Sequence, residues 1–439
     1  MGRTALAVVR LLLREGARPF VTEAKSGATF ESACAELDAL GVPYELGGHT
    51  AAAFANADLV IPSPGVAPAK IPIPPSCRAE MMSEMEFAFP YCRSRIIAVT
   101  GTNGKTTTTE LLKTLVAGCG HSVTLAGNND TPLSAAVLES PAPEFLVLEV
   151  SSYQLELANA FHPWAAAVIN VTPDHLARHG TIETYADVKA RIHARQDVGD
   201  IAVVNEDDPI VRVMAAWTRA HVYPFSLEKR LDNGLWLDGR AIRFGREQVA
   251  DVSDTILPGR HNLQNVLCAL SFMRAGGFDW DRTLAALRTF GGVEHRIEFV
   301  TRVSGVDFYN DSKATNVDSL KVALESFSVP VVLIAGGEGK NTDYRVLRDL
   351  VRAKVRHMVL IGEDAPKIEA AFGDLVPVEQ AAAMDDAVRR AAAAAMPGDA
   401  VLLSPACASF DMYTSFEHRG RVFKQAVADF ARHAREILP

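Results

Sequence analysis

Residues 96–107 read Ile96-Ile97-Ala98-Val99-Thr100-Gly101-Thr102-Asn103-Gly104-Lys105-Thr106-Thr107. An apolar, β-branched run breaks into a glycine-framed loop that ends in Gly-Lys-Thr and opens onto a helix. The backbone N–H groups of such a loop and the positive end of its helix face an anion. In this pattern Lys105 reaches the terminal phosphates of a nucleotide and the Thr106 hydroxyl ligates Mg²⁺. A strict phosphate loop has a further glycine where this chain has Val99, so Gly101-Thr102-Asn103-Gly104 is a compressed version. Its strand–loop–helix setting separates it from an ordinary surface turn. Leu111, Leu112, Leu115 and Val116 follow at helical spacing and predict the buried face of that helix. The chain is expected to spend ATP or GTP.

The totals narrow the classes. A chain of 439 residues suggests two to four domains, and 48% hydrophobic residues supply large cores. A formal charge of −9 argues against a nucleic-acid binder that works by neutralising phosphates. Anionic substrates then have to be held by local lysines, arginines, helix ends and metal ions. The six cysteines (34, 77, 92, 119, 268 and 407) have no metal-like spacing and read as reduced thiols of a cytoplasmic protein. No apolar run is long enough to span a membrane, and Arg10 interrupts the stretch 6–13. No internal repeat is visible. The alanine-rich stretch 391–395 reads as helix.

Three segments follow one another. Residues 1–92 open with an amphipathic helix through Leu13. A strand at Pro19 to Glu23, a helix near 30–40 and a strand at Asp58 to Ile61 lead to Ser63-Pro64-Gly65. That alternation is doubly wound α/β. Such a domain normally begins with a strand before its first glycine turn, so a further strand is expected upstream of Met1. Residues 93–295 carry the phosphate loop, buried strands at 145–150, 165–171 and 201–205, and a hairpin around Asp238-Gly239. Residues 296–439 alternate strands at 306–310, 331–335, 358–361 and 401–404 with helical stretches, again α/β. A cleft between three such domains suits a reaction with several substrates.

Several residues carry candidate chemistry. Glu149 ends an apolar strand, where an acid can hold Mg²⁺ directly or through water. His175 follows the next strand and is expected near Glu149, as a metal ligand or substrate contact. A packed histidine at a helix start is the alternative. Lys189 sits in Tyr185-Ala186-Asp187-Val188-Lys189-Ala190-Arg191, and composition alone makes it a solvated surface lysine. Arg296, in Gly292-Val293-Glu294-His295-Arg296, is equally bland. Asn310-Asp311-Ser312-Lys313-Ala314-Thr315-Asn316 is polar or small throughout, which suits a ligand loop with Lys313 as charge clamp, or a solvated loop. Gly336-Gly337-Glu338-Gly339-Lys340 and Ser404-Pro405-Ala406-Cys407-Ala408-Ser409-Phe410-Asp411 also follow strands. Three strand ends in the last segment thus converge on ligand-type loops.

Together these stretches resemble the muramyl ligase family, the ATP-dependent amide-bond ligases of peptidoglycan precursor synthesis. The resemblance covers nearly the whole chain. It rests on the 101–106 loop, on Leu148-Glu149-Val150-Ser151-Ser152-Tyr153-Gln154-Leu155-Glu156 and on Asn170-Val171-Thr172-Pro173-Asp174-His175. His261-Asn262-Leu263-Gln264-Asn265, His295-Arg296 and the 310–316 loop complete it. Ser404 to Asp411, with Phe416-Glu417 and Arg419-Gly420, is most particular to the family's D-glutamate-adding branch. The Asp-Asn-Pro-Arg motif of the diaminopimelate- and lysine-adding branches is absent.

The resemblance implies an α/β fold of three domains. They are a Rossmann-like UDP-sugar domain (1–92), a central phosphate-loop ATPase-like domain with a β insertion (93–295) and a Rossmann-like amino-acid domain (296–439). It implies ATP-driven addition of D-glutamate to UDP-N-acetylmuramoyl-L-alanine through an acyl phosphate, by a cytoplasmic monomer with neither nucleic acid nor membrane as partner. Two Mg²⁺ ions would be held by Thr106, Glu149, His175 and Lys189, the last carbamylated by CO₂. Gly101, Thr102, Asn103, Gly104, Lys105, Thr106, Thr107, Asn262, Asn265, Arg296, Asp311 and Lys313 would contact ATP. Arg3, Thr4, Glu23, Lys25, Ser63, Gly65, Asn128, Ser151 and Gln154 would contact the UDP-sugar, and His175, Thr315, Lys340, Ser409 and Phe416 would contact D-glutamate. Lys105, Glu149, His175, Lys189 and Lys313 form the implied catalytic set. The chain departs from the family at Asp130, where Gly127-Asn128-Asn129-Asp130 replaces Gly-Asn-x-Gly. Its absent first strand also leads us to expect weak UDP-sugar binding or low stability. The other readings are a related ligase for another amino acid, a nucleotide-gated regulator and an inactive binding protein.

Overall fold

The run 96–99 is buried on both faces, so its strand has to lie inside a covered sheet. The structure, a computed structural model, describes residues 1–439 apart from 28–29, 76, 129–130, 340–342 and 438–439. In it, strand Arg95–Thr100 is flanked in parallel by Phe145–Glu149 and Ala165–Val168. Val123–Gly127 lies beyond Phe145–Glu149, at one edge of the sheet. On the other side Ile201–Asn205, His221–Ser226 and Leu235–Asp238 continue in parallel, and Ala241–Phe244 and Glu247–Asp251 finish the sheet antiparallel. The hairpin read around Asp238-Gly239 is therefore the outer margin of the loop-bearing sheet. Val99 registers with Glu149 and Thr100 with Val168. Parallel strands that end together deliver their following loops to one sheet edge.

Segment 1–92 contains two separate parallel pairs, Val21–Glu23 with Tyr44–Leu46 and Leu59–Val60 with Glu80–Met81. The first pair carries only a small core of its own, Val9, Leu37 and Val42 with Val21 and Tyr44 packed against them. Val8 and Leu11 of helix Arg3–Arg14, with Met85 and Phe87, instead join Ile96, Leu146 and Leu148 in one core. Two buried carboxylates reinforce the junction. Glu84 accepts from Ser134 N at 2.5 Å, and Glu86 from Ala160 N and Phe161 N at 2.5 and 3.0 Å. Residues Met1–Asp254 and Gln264–Arg288 accordingly form one compact unit, and Thr255–Leu263 with Thr289–Pro439 form a second.

The second unit is built on the order Glu298–Val303, Val306–Asn310, Ala400–Leu403, Val331–Gly336, Val355–Ile361, Val378–Gln380, parallel after its first pair. Alternate residues of Val331–Gly336 face two cores: Val331, Leu333 and Ala335 one, Val332 and Ile334 the other. That two-sided burial is the α/β arrangement expected for this segment. Helices Met384–Ala394 and Phe416–Ile437 cover the second core. All six cysteines are free. Among the described residues, no helix is long and apolar enough to cross a membrane.

Candidate active site

In the first unit, helix Lys105–Gly118 starts on Gly104, which has φ +83°. Thr106 to Thr109 are modest helix formers, so packing has to hold the helix. Leu111, Leu112, Leu115 and Val116 are all fully buried, as their spacing predicts. Asn170 braces the loop by accepting from Asn103 N at 2.9 Å and donating to Asn103 O at 3.2 Å. Thr102 Oγ1 donates to Thr172 O and accepts from Thr172 N. Lys105 Nζ donates to Gly101 O and Thr102 O, which curls it over its own loop. A Cβ on Gly104 would stand 2.2 Å from Asn265 Oδ1, so Asn265 closes on the loop. Asn262, three residues earlier on helix Arg260–Ala275, donates to Pro258 O at 2.7 Å.

Lys189 overturns the reading from composition. It is 1% exposed, and Nζ donates to Gly101 O at 2.8 Å and Thr100 Oγ1 at 3.3 Å. The ammonium lies 4.6 Å from the centre of the Tyr185 ring. Burial, with nearby Lys105, lowers its pKa to about 7. Glu149 is also buried. Its Oε1 accepts from Asn128 Nδ2 at 2.8 Å, while Oε2 has no partner among the described residues. A buried carboxylate oxygen without a donor is a place for a cation. Among the described residues no three His, Cys, Asp or Glu side chains gather to hold an ion alone. Mg²⁺ suits such a place, because it completes its shell with phosphate oxygens, hydroxyl groups and water.

His175 adopts φ +54° at the start of the short helix Leu176–His179. Its Nδ1 shares a 3.1 Å hydrogen bond with the Tyr153 hydroxyl, and nearly half of its side chain is exposed. Tyr153 carries the Arg178 guanidinium over its ring at 4.9 Å. Arg178 in turn grips Glu156 and donates to Val66 O at 3.2 Å, beside the Ser63–Val66 turn. Ser151 and Gln154 form a capping box with each other. The Ser-x-x-Gln spacing announces that box in the sequence. At the start of the chain, Glu23 accepts from the Met1 amino group and from Lys25 N. Arg3 and Thr4 open helix Arg3–Arg14, and Ser63 and Gly65 are exposed in their turn. Asp130 lies outside the described residues.

The second unit brings its three candidate loops together, because their strands are neighbours in the sheet. Asn310 and Ile334 both register with Leu403. Glu338 and Ala408 exchange backbone hydrogen bonds at 3.1 and 3.0 Å. Asp311 is buried, accepting from Ser404 Oγ at 2.7 Å and Ile297 N at 3.2 Å. Burial pushes its pKa up to about 7. Asn310 and Ser312 are buried as well, so the first half of the polar run is internal rather than solvated. Lys313 and Arg296 are exposed, and Lys313 Nζ lies 5.8 Å from the Phe416 ring centre. Arg296 stands between His295 and Ile297, which have φ of +65° and +45°. Such backbone is strained for a β-branched residue and persists where contacts over-determine it. Glu298 supplies them, accepting from His295 N and Asn310 Nδ2, both at 2.9 Å. Ser409 is buried, Thr315 is half-buried and Lys340 lies outside the described residues. Tyr153, Tyr185 and Asn170, which contact His175, Lys189 and the phosphate-type loop, were not among the expected site residues; only Asn170, between a strand and Thr172-Pro173, had a local signal.

A nucleotide-type loop with a buried acid and a buried lysine at one sheet edge, and a three-loop cradle on a second sheet, define an α/β nucleotide-dependent enzyme. Comparison with known proteins specifies the family. The Mur ligase MurD-like N-terminal domain matches residues 1–81, the Mur ligase middle domain 99–273 and the Mur ligase glutamate ligase domain 295–407. A UDP-N-acetylmuramoylalanine–D-glutamate ligase of Pelotomaculum thermopropionicum is 43% identical over 434 residues, covering 97% of this chain and 95% of its own. A protein of the same name from Caldanaerobacter subterraneus is 40% identical over 438 residues, covering 98% and 97%. The MurF ligase of Thermotoga maritima, solved with ADP, shares the fold at TM-score 0.58 and 18% identity, covering 98% of this chain and 100% of its own. The chain belongs to the Mur ligase family and has its three-domain α/β architecture.

Proposed function

We propose that the chain joins D-glutamate to UDP-N-acetylmuramoyl-L-alanine at the expense of ATP, in peptidoglycan precursor synthesis. The observation that carries this reading is the cradle of the second unit. It is built from the loops 310–316, 336–339 and 404–411, and the sequence of the last resembles the D-glutamate-adding branch. The names and near-complete coverage of the relatives support it. In the reaction, the alanyl carboxylate attacks the γ-phosphorus of ATP and ADP leaves. The D-glutamate amine then attacks the acyl phosphate, the tetrahedral intermediate expels phosphate, and an amide remains. Catalysis of this kind is mostly positioning and charge stabilisation.

Loop 101–107, Asn262, Asn265, Arg296, Asp311 and Lys313 hold ATP in this reading. Lys105 leaves the loop carbonyls for the β- and γ-phosphates. Thr106, Glu149, His175 and a carbamylated Lys189 would hold two Mg²⁺ ions, which neutralise phosphoryl charge. The unpartnered Glu149 oxygen and the readily deprotonated Lys189 amine favour those roles. Arg3, Thr4, Glu23, Lys25, Ser63, Gly65, Asn128, Ser151 and Gln154 receive the UDP-sugar. His175, Thr315, Lys340, Ser409 and Phe416 receive D-glutamate. The working boundaries fall near residues 92 and 295, and the enzyme acts as a cytoplasmic monomer on soluble substrates.

Mass spectrometry tests the reading. The expected product, UDP-N-acetylmuramoyl-L-alanyl-D-glutamate, forms only when ATP, Mg²⁺, the UDP-sugar and D-glutamate are all present. Its absence from the complete mixture contradicts the proposal.

A further inference from the structure

Arg419 is fully buried in the second unit, and none of its hydrogen-bond acceptors carries a charge. Its Nε donates to Ser312 Oγ at 2.9 Å. One terminal nitrogen donates to Ser312 O at 2.9 Å and Cys407 O at 3.1 Å; the other donates to Ala408 O at 3.1 Å. No carboxylate among the described residues pairs with it, and Asp411 acts only at longer range. Burial draws its pKa down to about 10, so it stays charged at neutral pH. A buried unpaired charge is costly, which makes a purely space-filling role a poor explanation.

Its acceptors explain the position. Ser312 belongs to the first cradle loop, and Cys407 and Ala408 to the third. Ala408 is hydrogen-bonded to Glu338 of the second. A Cβ on Gly337 would stand 2.3 Å from Ala408 O and 3.1 Å from the guanidinium, so only a bare glycine backbone lets the three meet. Ser312 Oγ, while accepting from Arg419, donates to Phe416 O at 2.8 Å. Ser409 is the next residue after Ala408, and Thr315 lies three beyond Ser312. One side chain therefore spans the loops that carry the amino-acid candidates.

We propose that Arg419 is the positioning residue of the amino-acid site. It fixes Thr315, Ser409 and Phe416 relative to one another, and its charge, which no carboxylate among the described residues pairs directly, biases the cradle toward an acidic amino acid. This rests on the functional reading above. Steady-state kinetics of the full chain test it. Arg419→Lys keeps the charge but loses the planar fork, so KM for D-glutamate rises about tenfold or more. KM for the UDP-sugar, bound by the other unit, stays within about twofold. Arg419→Met additionally lowers the preference for D-glutamate over D-glutamine by about tenfold, which Arg419→Lys retains. Ser312→Ala removes one acceptor, tests the same network in a milder variant, and raises the D-glutamate KM a few-fold. The proposal is overturned if folded Arg419→Lys and Ser312→Ala leave that KM within about twofold, or if all substrate KM values rise together. Wild-type enzyme without D-glutamate-dependent turnover overturns the functional reading itself, and this proposal with it.

Discussion

Lys189 and Lys105 donate to one and the same oxygen, the carbonyl of Gly101, at 2.8 and 2.9 Å. Burial disfavours the Lys189 ammonium, and repulsion by its neighbour Lys105 adds to the effect. Lys189, fully enclosed, is the amine that falls to about 7. A substantial fraction is unprotonated at neutral pH, and that is the form that adds CO₂. With ¹³C-bicarbonate, wild-type protein is expected to show a carbamate carbon resonance that Lys189→Gln lacks. Turnover of that variant falls by about a thousandfold or more, as for removal of a central electrostatic group. A variant with near wild-type turnover contradicts the role given to Lys189.

Glu149→Gln keeps the shape of the side chain and can keep an acceptor for Asn128, but removes the charge behind the unpartnered oxygen. The fold is expected to survive. Turnover drops about a hundredfold or more, and the Mg²⁺ concentration for half-maximal rate rises. A Mg²⁺ titration that superimposes on the wild type rules out Glu149 as a site for the ion.

Gly104 meets two constraints at once, its φ of +83° and the 2.2 Å approach of Asn265 Oδ1 to any Cβ placed there. Gly104→Ala should weaken ATP binding at least tenfold, by about 1.4 kcal/mol or more. Adding Asn265→Ala relieves the contact but leaves the backbone strain. The double variant should therefore be less impaired than the two single losses summed, by about 1 kcal/mol. Calorimetric ATP titrations of the four proteins measure the coupling; simple additivity refutes the contact.

These sites divide by how far their signals reach along the chain. The helix face at 111–116 was legible, because spacing within one element decides it. Lys189 was not legible from composition. Its helix Ile182–Ala190 buries Tyr185, Ala186, Val188 and Ala190 too, and only packing against other elements takes a charged residue inside with them. The polar run 310–316 left a ligand loop and a solvated loop both open in the sequence, for a similar reason. Glu298, Ser404 and Arg419, all distant in sequence or on other elements, satisfy it internally. The first segment was read as one doubly wound domain. Its first strand pair packs on a small core of its own, Val9, Leu37 and Val42, while Leu59 of the second pair and Val8 and Leu11 of helix Arg3–Arg14 join the middle segment's core.

Asp311 sets a pH dependence. Its folded pKa, about 7, exceeds the unfolded value near 3.8. Between those limits the folded state binds the extra proton, so this group's contribution is full below about pH 4 and is lost as pH rises through 7. The loss is on the order of 4 kcal/mol at most. Urea denaturation followed between pH 5 and 8 should show a steeper decline for wild type than for Asp311→Asn. Parallel profiles contradict the assignment.

In the proposed reaction ATP cleavage is tied to an acidic amino acid of one hand. Phosphate release measured with UDP-N-acetylmuramoyl-L-alanine, ATP, Mg²⁺ and a panel of amino acids tests it most directly. Release is expected to require D-glutamate and to be negligible with L-glutamate, D-glutamine, L-lysine or diaminopimelate. Release that proceeds equally with any amino acid, or with none, contradicts it.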